Sequence, residues 1–565
     1  MHYIKIDVSG KQEFIFKSNK LRDNIHASDI IRRITEYTNK DTVSNDKDIL
    51  SLDSFLNNYK DKYKKEFCGG GNSILSFVEK DDAVDFIKNY SKKVYEKYPE
   101  LELYIALYTK KDGIKGNQIK VKLNEELDRL KDLRKSRFRK CSFGVEVLDS
   151  ITGYPIEGSE NIRAYLDSRS SNEVEYKHRN IKSLKEINEA KKHLKDYLSS
   201  DYRYDEIKIT HEMEDYKSYG EDKNKKYIGI ISLDGNGMGD LVSKTKNFKE
   251  LGNLGEEIQD VYIKSINDYL IKLDKYLHTF KEEIKPIRPY ITPIVSAGDD
   301  ICLIVDGKIA IDAASEILKN IEKNSHIDTT EYKTLKELLK RNDKDRLTAC
   351  AGVSINKIGY PFFDVYVEAE EMCKRAKESK YKFIKILEDK GIDKNKYKDM
   401  EMSILDWNII RGSNKEDYDF EKYIKNYTED IYHVKPCIVS EDIEFKELSI
   451  YKYEKFKRTC NQVNSLIKQS KLTKSTLNFL QQNFYDGFSS YKAEIIKKRD
   501  KHTQELFSKI KEIYIEQDSK ESNTVKKYGL IRNDYKNYFV LNDVIDTYEF
   551  FENINDTEKG GKEDE

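Results

Sequence analysis

Two stretches of this chain repeat at one spacing, and a repeat restricts the fold more than composition does. Tyr3-Ile4-Lys5-Ile6-Asp7 is a short apolar strand pattern ending in Asp, with Gly10 three residues on. Ile228-Gly229-Ile230-Ile231-Ser232-Leu233-Asp234 repeats it 227 residues later, again with a glycine, Gly237, three residues on. The same offset of 227 carries Gly70-Gly71-Asn72-Ser73 onto Ala297-Gly298-Asp299-Asp300. Each of these turns leads into an apolar strand, Ile74 to Val78 or Ile301 to Val305. Helical spacing follows, at Ala83, Phe86, Ile87 and Tyr90 in the first copy and Ala310, Ala313, Ala314, Ile317 and Leu318 in the second.

Each copy closes on a further strand, about Leu101 to Leu107 and Leu347 to Ile355, the second after an inserted charged helix near Lys333 to Lys340. The order β-α-β-β-α-β predicts a ferredoxin-like arrangement twice over, an antiparallel sheet with helices on one face. The fold class is therefore α+β. Two such domains are expected at 1–115 and 227–388, joined by a helical, charged segment at 116–226. A mostly helical carboxy-terminal domain follows at 389–556, and a disordered tail at 557–565. The joining segment holds a helix pattern at Leu123, Leu127, Leu130 and Leu133 that runs into the basic stretch Arg134 to Lys140.

Lys and Arg number 101 against 102 Asp and Glu, a net charge of −1, which excludes a protein that coats nucleic acid by bulk charge. A local basic groove is still open, and Arg134 to Lys140 with Phe138 among them is a candidate for RNA or phosphate, although the solvated end of a helix explains it more simply. No run approaches the roughly 20 apolar residues of a membrane span, and the amino terminus lacks the apolar run of a signal peptide. The seven cysteines include no C-x-x-C pair, so neither a zinc knuckle nor a disulfide framework is expected and a reducing cytoplasm fits.

Chemistry is concentrated in the second copy. Asp234 closes a strand and is followed by Gly235, Gly237 and Gly239; Asp299 and Asp300 sit on the hairpin of the strand expected beside it. Three carboxylates that close repel one another unless a divalent cation bridges them, and hard oxygen donors suit Mg²⁺ or Mn²⁺. The glycines let backbone amides approach phosphate oxygens, and Lys377, on a helix from about Ala369 to Lys380, is a candidate phosphate contact. Gly-Asp-Asp alone is an ordinary turn. Here the first copy is an internal control: it carries Asn72-Ser73 instead, so the fold does not need the acidic pair.

These residues resemble the large palm-domain subunit of type III CRISPR effector complexes, within the wider group of palm-domain polymerases and GGDEF-type nucleotide cyclases. Asp7 to Phe16 with Leu21-Arg22-Asp23 is similar to the opening of the family's first palm, and Gly69-Gly70-Gly71 to its glycine-rich hairpin. Leu233 to Gly239 resembles the opening strand of the second palm, and Pro293 to Asp300 its Gly-Gly-Asp-Asp hairpin. Ala351-Gly352-Val353, Ala369-Glu370-Glu371 and Ala376-Lys377 resemble its closing strand and helix.

The resemblance, which covers about residues 1 to 385, implies conversion of ATP to a cyclic oligoadenylate in antiviral defence. It makes Asp234, Asp299 and Asp300 catalytic metal ligands, and puts Gly235, Gly237, Gly298 and Lys377 at the nucleotide. A second ATP would lie in the first palm beside Gly70, Gly71, Asn72 and Ser73, facing the first and without metal ligands of its own; Asp7 would be structural, holding the Ser9-Gly10 loop. Partners would be guide or target RNA and other subunits of the complex. Ala297 and Asn236 depart from the family pattern, which has glycine and a second Asp there. Many members carry an HD nuclease, but this sequence has no His-Asp dipeptide, so no metal-dependent DNA nuclease is expected. The alternative function is a catalytically silent scaffold holding RNA and partner proteins; a diguanylate cyclase is a third reading, less suited to paired palms in one chain.

Overall fold

The structure is a computed structural model that describes residues 1–16, 21–37, 50–98, 100–111, 113, 116–133, 206–210, 213–217, 227–280, 287, 290–297, 299–410, 430–498, 500–515, 527–533 and 536–554. The basic stretch Arg134 to Lys140, Cys141, Gly298 and the tail at 557–565 lie outside the described residues. The chain divides into two compact units, Met1–Ser200 with Thr245–Glu256, and Asp201–Lys244 with Glu257–Glu565.

The first unit begins with β1 (His2–Ser9), then helices α1 (Lys11–Ile15), α2 (Leu21–Thr35) and α3 (Leu52–Leu56). The hairpin β2 (Tyr63–Gly69) and β3 (Asn72–Phe77), α4 (Lys80–Lys97), β4 (Glu102–Thr109) and α5 (Gly116–Leu133) complete it. Its sheet has the order β2-β3-β1-β4, with every neighbouring pair antiparallel. Strand alternation sends Ile4, Ile6 and Val8 into the core. An aromatic cluster fills that core: Phe86 stacks on Tyr90 at 5.3 Å and meets Phe77 at 5.6 Å. The odd-numbered side chains of β1 meet α5, where Lys5 donates to Asn124 at 2.8 Å and Lys131 to Asp7 at 2.7 Å. Helices therefore cover both faces, not one, because α5 carries Ile119, Leu123 and Leu127 as a buried stripe that must be covered.

The second unit opens with β5 (Lys208–Ile209) and α6 (Met213–Lys217) and then repeats the pattern. Its elements are β6 (Tyr227–Gly235), α7 (Met238–Ser243), α8 (Phe248–His278, whose first turns fall in the first unit), β7 (Tyr290–Ala297), β8 (Asp300–Asp306), α9 (Ala310–Ser325), the inserted α10 (Lys333–Arg341), β9 (Ala349–Lys357) and α11 (Phe362–Asp389). The order β7-β8-β6-β9 repeats that of the first sheet within seven strands, β11-β10-β9-β6-β8-β7-β5.

This sheet does not stop at 388. β10 (Ile404–Ile410) pairs parallel with β9, and β11 (Cys437–Ile438) pairs with β10, in a segment expected to be helical. The run Ile404-Leu405-Asp406-Trp407-Asn408-Ile409-Ile410 is too short for periodicity to tell a strand from a helix turn. Its partner settles the matter, since α11 supplies the crossover that a parallel neighbour of β9 requires. Helices predominate only later, from Tyr453–Lys468 onward. Among the described residues no helix is long and apolar enough to cross a membrane.

Candidate functional site

β6 and β8 pair antiparallel with Leu233 opposite Ile301, so Asp234 at the end of β6 and Asp300 at the start of β8 reach the same sheet edge. Asp299 occupies the hairpin turn beside them. One carboxylate oxygen from each of Asp234, Asp299 and Asp300 lies within 4.8 Å of the others. Among the described residues this is the one group of three or more potential metal-ligating side chains so placed. Asp234 and Asp299 are half-buried and Asp300 is exposed. Although the side chain of Asp300 reaches solvent, the protein packed around its carboxyl withdraws water from it, and this, then the neighbouring Asp299 and Asp234 charges, push it up to about 7; burial, with Asp234 adding to it, also raises Asp299.

Two glycines at this edge let other side chains pack close, Met238 Cε lying 2.4 Å from the place a Gly235 Cβ would take. A Cβ on Gly235 would lie 3.0 Å from Asp299 Oδ2 and 2.9 Å from the Tyr262 hydroxyl. Gly237 caps α7 at φ 63°, a left-handed conformation that disfavours side chains, and the ammonium of Lys344 crowds the position its Cβ would take. Gly10 caps α1 at φ 64°, the same device 227 residues earlier.

Helix α11 supplies the charged groups. Gly352 in β9 pairs with Ser232, two residues before Asp234, and α11 lies directly on it: a Cβ there would overlap the Ala369 carbonyl oxygen and the Cys373 amide nitrogen. That contact sets Lys377 against Asp234, to which its ammonium donates, and 3.3 Å from the Gly235 carbonyl. The ion pair outweighs burial and raises the Lys377 pKa. Seven residues earlier on the same helix face, Glu370 accepts from the Ser232 hydroxyl and adds its charge to the load on Asp300. Glu370 and Lys377 are a helix-spaced pair, which is the sequence signal for Glu370.

Asn236 is turned to other work. Its amide donates to Thr348 Oγ1 and to the Met402 carbonyl, each at 3.1 Å, tying the end of β6 to the segments before β9 and β10. Ala297 ends β7 without a positive φ, so replacing glycine there adds no strain.

In the first unit Gly70 and Gly71 form the hairpin turn at φ 62° and 68°. Asn72 starts β3 opposite Asp7, and its amide donates to the Gly70 carbonyl at 3.3 Å. Ser73 is fully buried, so the expectation that its hydroxyl cradles a nucleotide does not fit: alternation points it away from the mouth of the hairpin. Asp7 pairs across the Ser9-Gly10 loop with Lys11. It is clamped by Lys11 at 3.1 Å and Lys131 at 2.7 Å, which together outweigh burial and hold its carboxyl below the usual range. Lys131 is the counterpart of Lys377, and Asn124 that of Glu370, at an offset of 246 that also carries the first residue of α5 onto that of α11. Sequence reasoning missed both, because the inserted α10 breaks the spacing of 227.

Two carboxylate-bearing strand ends thus stand side by side at one sheet edge, with a lysine from the closing helix beside them. Residues 227–383 match the family described as Cas10/Cmr2, second palm domain. No curated protein matches the chain. Among solved structures, a Csm1-Csm4 cassette in complex with cA3 is 14% identical, with a TM-score of 0.38 over 67% of this chain and 53% of that one. Csm1 in T. onnurineus is 13% identical, with a TM-score of 0.38 over 81% of this chain and 60% of that one. The chain thus spans little more than half the length of the solved chains it resembles.

Proposed function

We propose that the second unit is a metal-dependent nucleotidyltransferase that joins ATP molecules into a cyclic oligoadenylate-type messenger, within a CRISPR-type defence complex in the cytoplasm. The observation that carries this reading is the convergence of Asp234, Asp299 and Asp300 on one edge. On this reading both four-stranded cores are ferredoxin-like palms, and the acceptor nucleotide belongs to the first, at Gly70, Gly71 and Asn72.

The donor set fits Mg²⁺ or Mn²⁺. Its atoms are hard carboxylate oxygens, and the raised pKa values of Asp299 and Asp300 mark a surplus of negative charge that a dication relieves. A bound dication would activate the attacking hydroxyl and offset charge on the leaving pyrophosphate. The chain's own residues do the rest. Asp234, Asp299 and Asp300 hold the ligand sphere, and Gly235 and Gly237 let the backbone approach the phosphates closely. Lys377 neutralises Asp234 while no cation is bound and turns to the triphosphate once Asp234 is engaged. The 3′-hydroxyl of one nucleotide attacks the α-phosphorus of the other, pyrophosphate leaves, and the hydroxyl proton passes to solvent.

The test is pyrophosphate release from ATP with Mg²⁺ or Mn²⁺, in the presence of guide and target RNA where the chain alone is silent. Asp299→Ala with Asp300→Ala should abolish turnover while the circular dichroism spectrum is kept. Wild-type turnover by a folded double variant refutes the assignment.

A further inference from the structure

One buried group beside the carboxylates has no partner. Tyr262, on the part of α8 that lies in the second unit, is fully buried, and its hydroxyl makes no hydrogen bond among the described residues. Buried tyrosine hydroxyls normally find an acceptor, because an unpaired O–H forfeits its hydration without return. A phenylalanine would fill the same volume without that loss.

The surroundings point to the missing acceptor. A Cβ built on Gly235 would lie 2.9 Å from the Tyr262 hydroxyl and 3.0 Å from Asp299 Oδ2. A donor and an acceptor therefore border one small space, into which the flexible Met238 side chain also reaches, its Cε 2.4 Å from the same point, and they do not bond across it. Burial, then the charges of Asp299, Asp234 and Asp300, hold the phenol protonated, so it serves as a donor. The two sides differ in freedom. Tyr262 is fixed in a helix of 31 residues, whereas Asp299 sits in a hairpin turn, with no side chain bonded to it among the described residues.

We propose that Tyr262 is a positioning residue of the cation site, its O–H donating to the Asp299 carboxylate across the space beside Gly235 when a divalent cation draws the three carboxylates together. The inference rests on reading those carboxylates as cation ligands. One oxygen of Asp299 then serves the cation and the other is oriented by Tyr262, the usual division between a ligand and the donor behind it.

The test is direct Mn²⁺ titration of the full chain, followed by the electron paramagnetic resonance signal of the free ion, with no turnover required. Tyr262→Phe should raise the Mn²⁺ Kd about tenfold, the usual effect of removing a donor behind a ligand. Without metal its Tm should be no lower than that of wild type, since the hydroxyl has no partner to lose, and Mn²⁺ should raise the Tm of wild type more than that of the variant. Asp299→Ala should lose Mn²⁺ binding altogether. If Asp299→Ala loses Mn²⁺ while Tyr262→Phe binds it like wild type, the Tyr262 inference alone is overturned. If Asp299→Ala also binds Mn²⁺ like wild type, the cation site itself is refuted and the inference goes with it.

Discussion

Gly352→Ala tests the packing that carries the site. The new methyl would overlap the Ala369 carbonyl oxygen and the Cys373 amide nitrogen, and would lie 2.9 Å from Cys373 Cα. Carbon atoms in contact sit about 3.5–4.0 Å apart, so the last contact alone is short by roughly 0.8 Å. All three atoms are helix backbone, so no rotamer change relieves the clash and α11 must shift on the sheet. Overpacking of this kind costs about 1–3 kcal/mol, and the absence of a flexible neighbour puts this case near 3. About 350 residues at roughly 2.1 cal/mol/K each give about 1.4 °C per kcal/mol, so the Tm of the second unit should fall by roughly 4 °C. Lys377 and Glu370 ride the same helix, so pyrophosphate release should fall even at temperatures where the variant remains folded. The control is Gly239→Ala in α7, where a Cβ meets nothing within 4 Å, and it should be neutral or slightly stabilising. Thermal unfolding by circular dichroism reads both. A Gly352→Ala Tm within about a degree of wild type would mean that α11 does not lie on β9 as described.

Asp300→Asn should stabilise the cation-free protein, because the carboxyl is raised from 3.8 to about 7 and its ionisation is resisted by the fold. A raised acid contributes fully below its unfolded value and loses that contribution as pH climbs through the folded one. The gain in Tm should therefore be absent below about pH 4, grow between 4 and 7 and level off above; a gain independent of pH refutes the argument. Asp7→Ala should keep measurable turnover and cost about 1–2 kcal/mol in urea unfolding, since it leaves Lys11 and Lys131, both partly exposed, without their shared carboxylate. That cost should be present above pH 3.8 and vanish as pH falls through the lowered pKa of Asp7. Asp234→Ala should instead remove turnover while ATP binding persists, and equal loss in both variants would overturn the asymmetry between the copies.

The strand-end carboxylates were legible because a strand ending in Asp and a hairpin ending in Asp-Asp leave few alternatives once a repeat makes them neighbours. The pairing of the two copies was legible only to within one residue. The constant offset sets Asn72 against Asp299, yet Asn72 lies opposite Asp7, and the register of β6 with β8 gives that place to Asp300. The first hairpin closes on Gly69 and Asn72, the second on Ala297 and Asp300, a slip of one residue hidden in the longer connection before β7. Gly71, not Asn72, is thus the counterpart of Asp299. The strands β10 and β11 were not legible, because the seven residues of β10, five of them apolar, are too few to show a period and their pairing depends on β9. Tyr262 gave no signal at all, since a tyrosine in an amphipathic helix reads as core and only its orphaned hydroxyl sets it apart.

The register exposes what the two copies share and where they part. Position 5 bonds to position 124 in the first, and 232 to 370 in the second, but one pair is Lys with Asn and the other Ser with Glu. Asp7 meets Lys131 as Asp234 meets Lys377. The scaffold of contacts is duplicated while the charge upon it is not. At the hairpin the divergence is complete: where the second copy carries the side chain of Asp299, the first has Gly71, and the ammonium of Lys11 lies 3.0 Å from the place a Gly71 Cβ would take. A lysine stands near one sheet edge where a carboxylate stands at the other. The first copy folds with Asp7 matched by two ammonium groups and with the Gly71 amide of its hairpin donating to Glu36 at 2.7 Å, so the geometry of hairpin and strand is satisfied without an Asp-Asp pair. Asp299 and Asp300 are both raised, by burial first and then by neighbouring carboxylates, and weigh against stability in the second copy. Residues that the fold does not need, and that burden it, are the ones the proposed cation site would use.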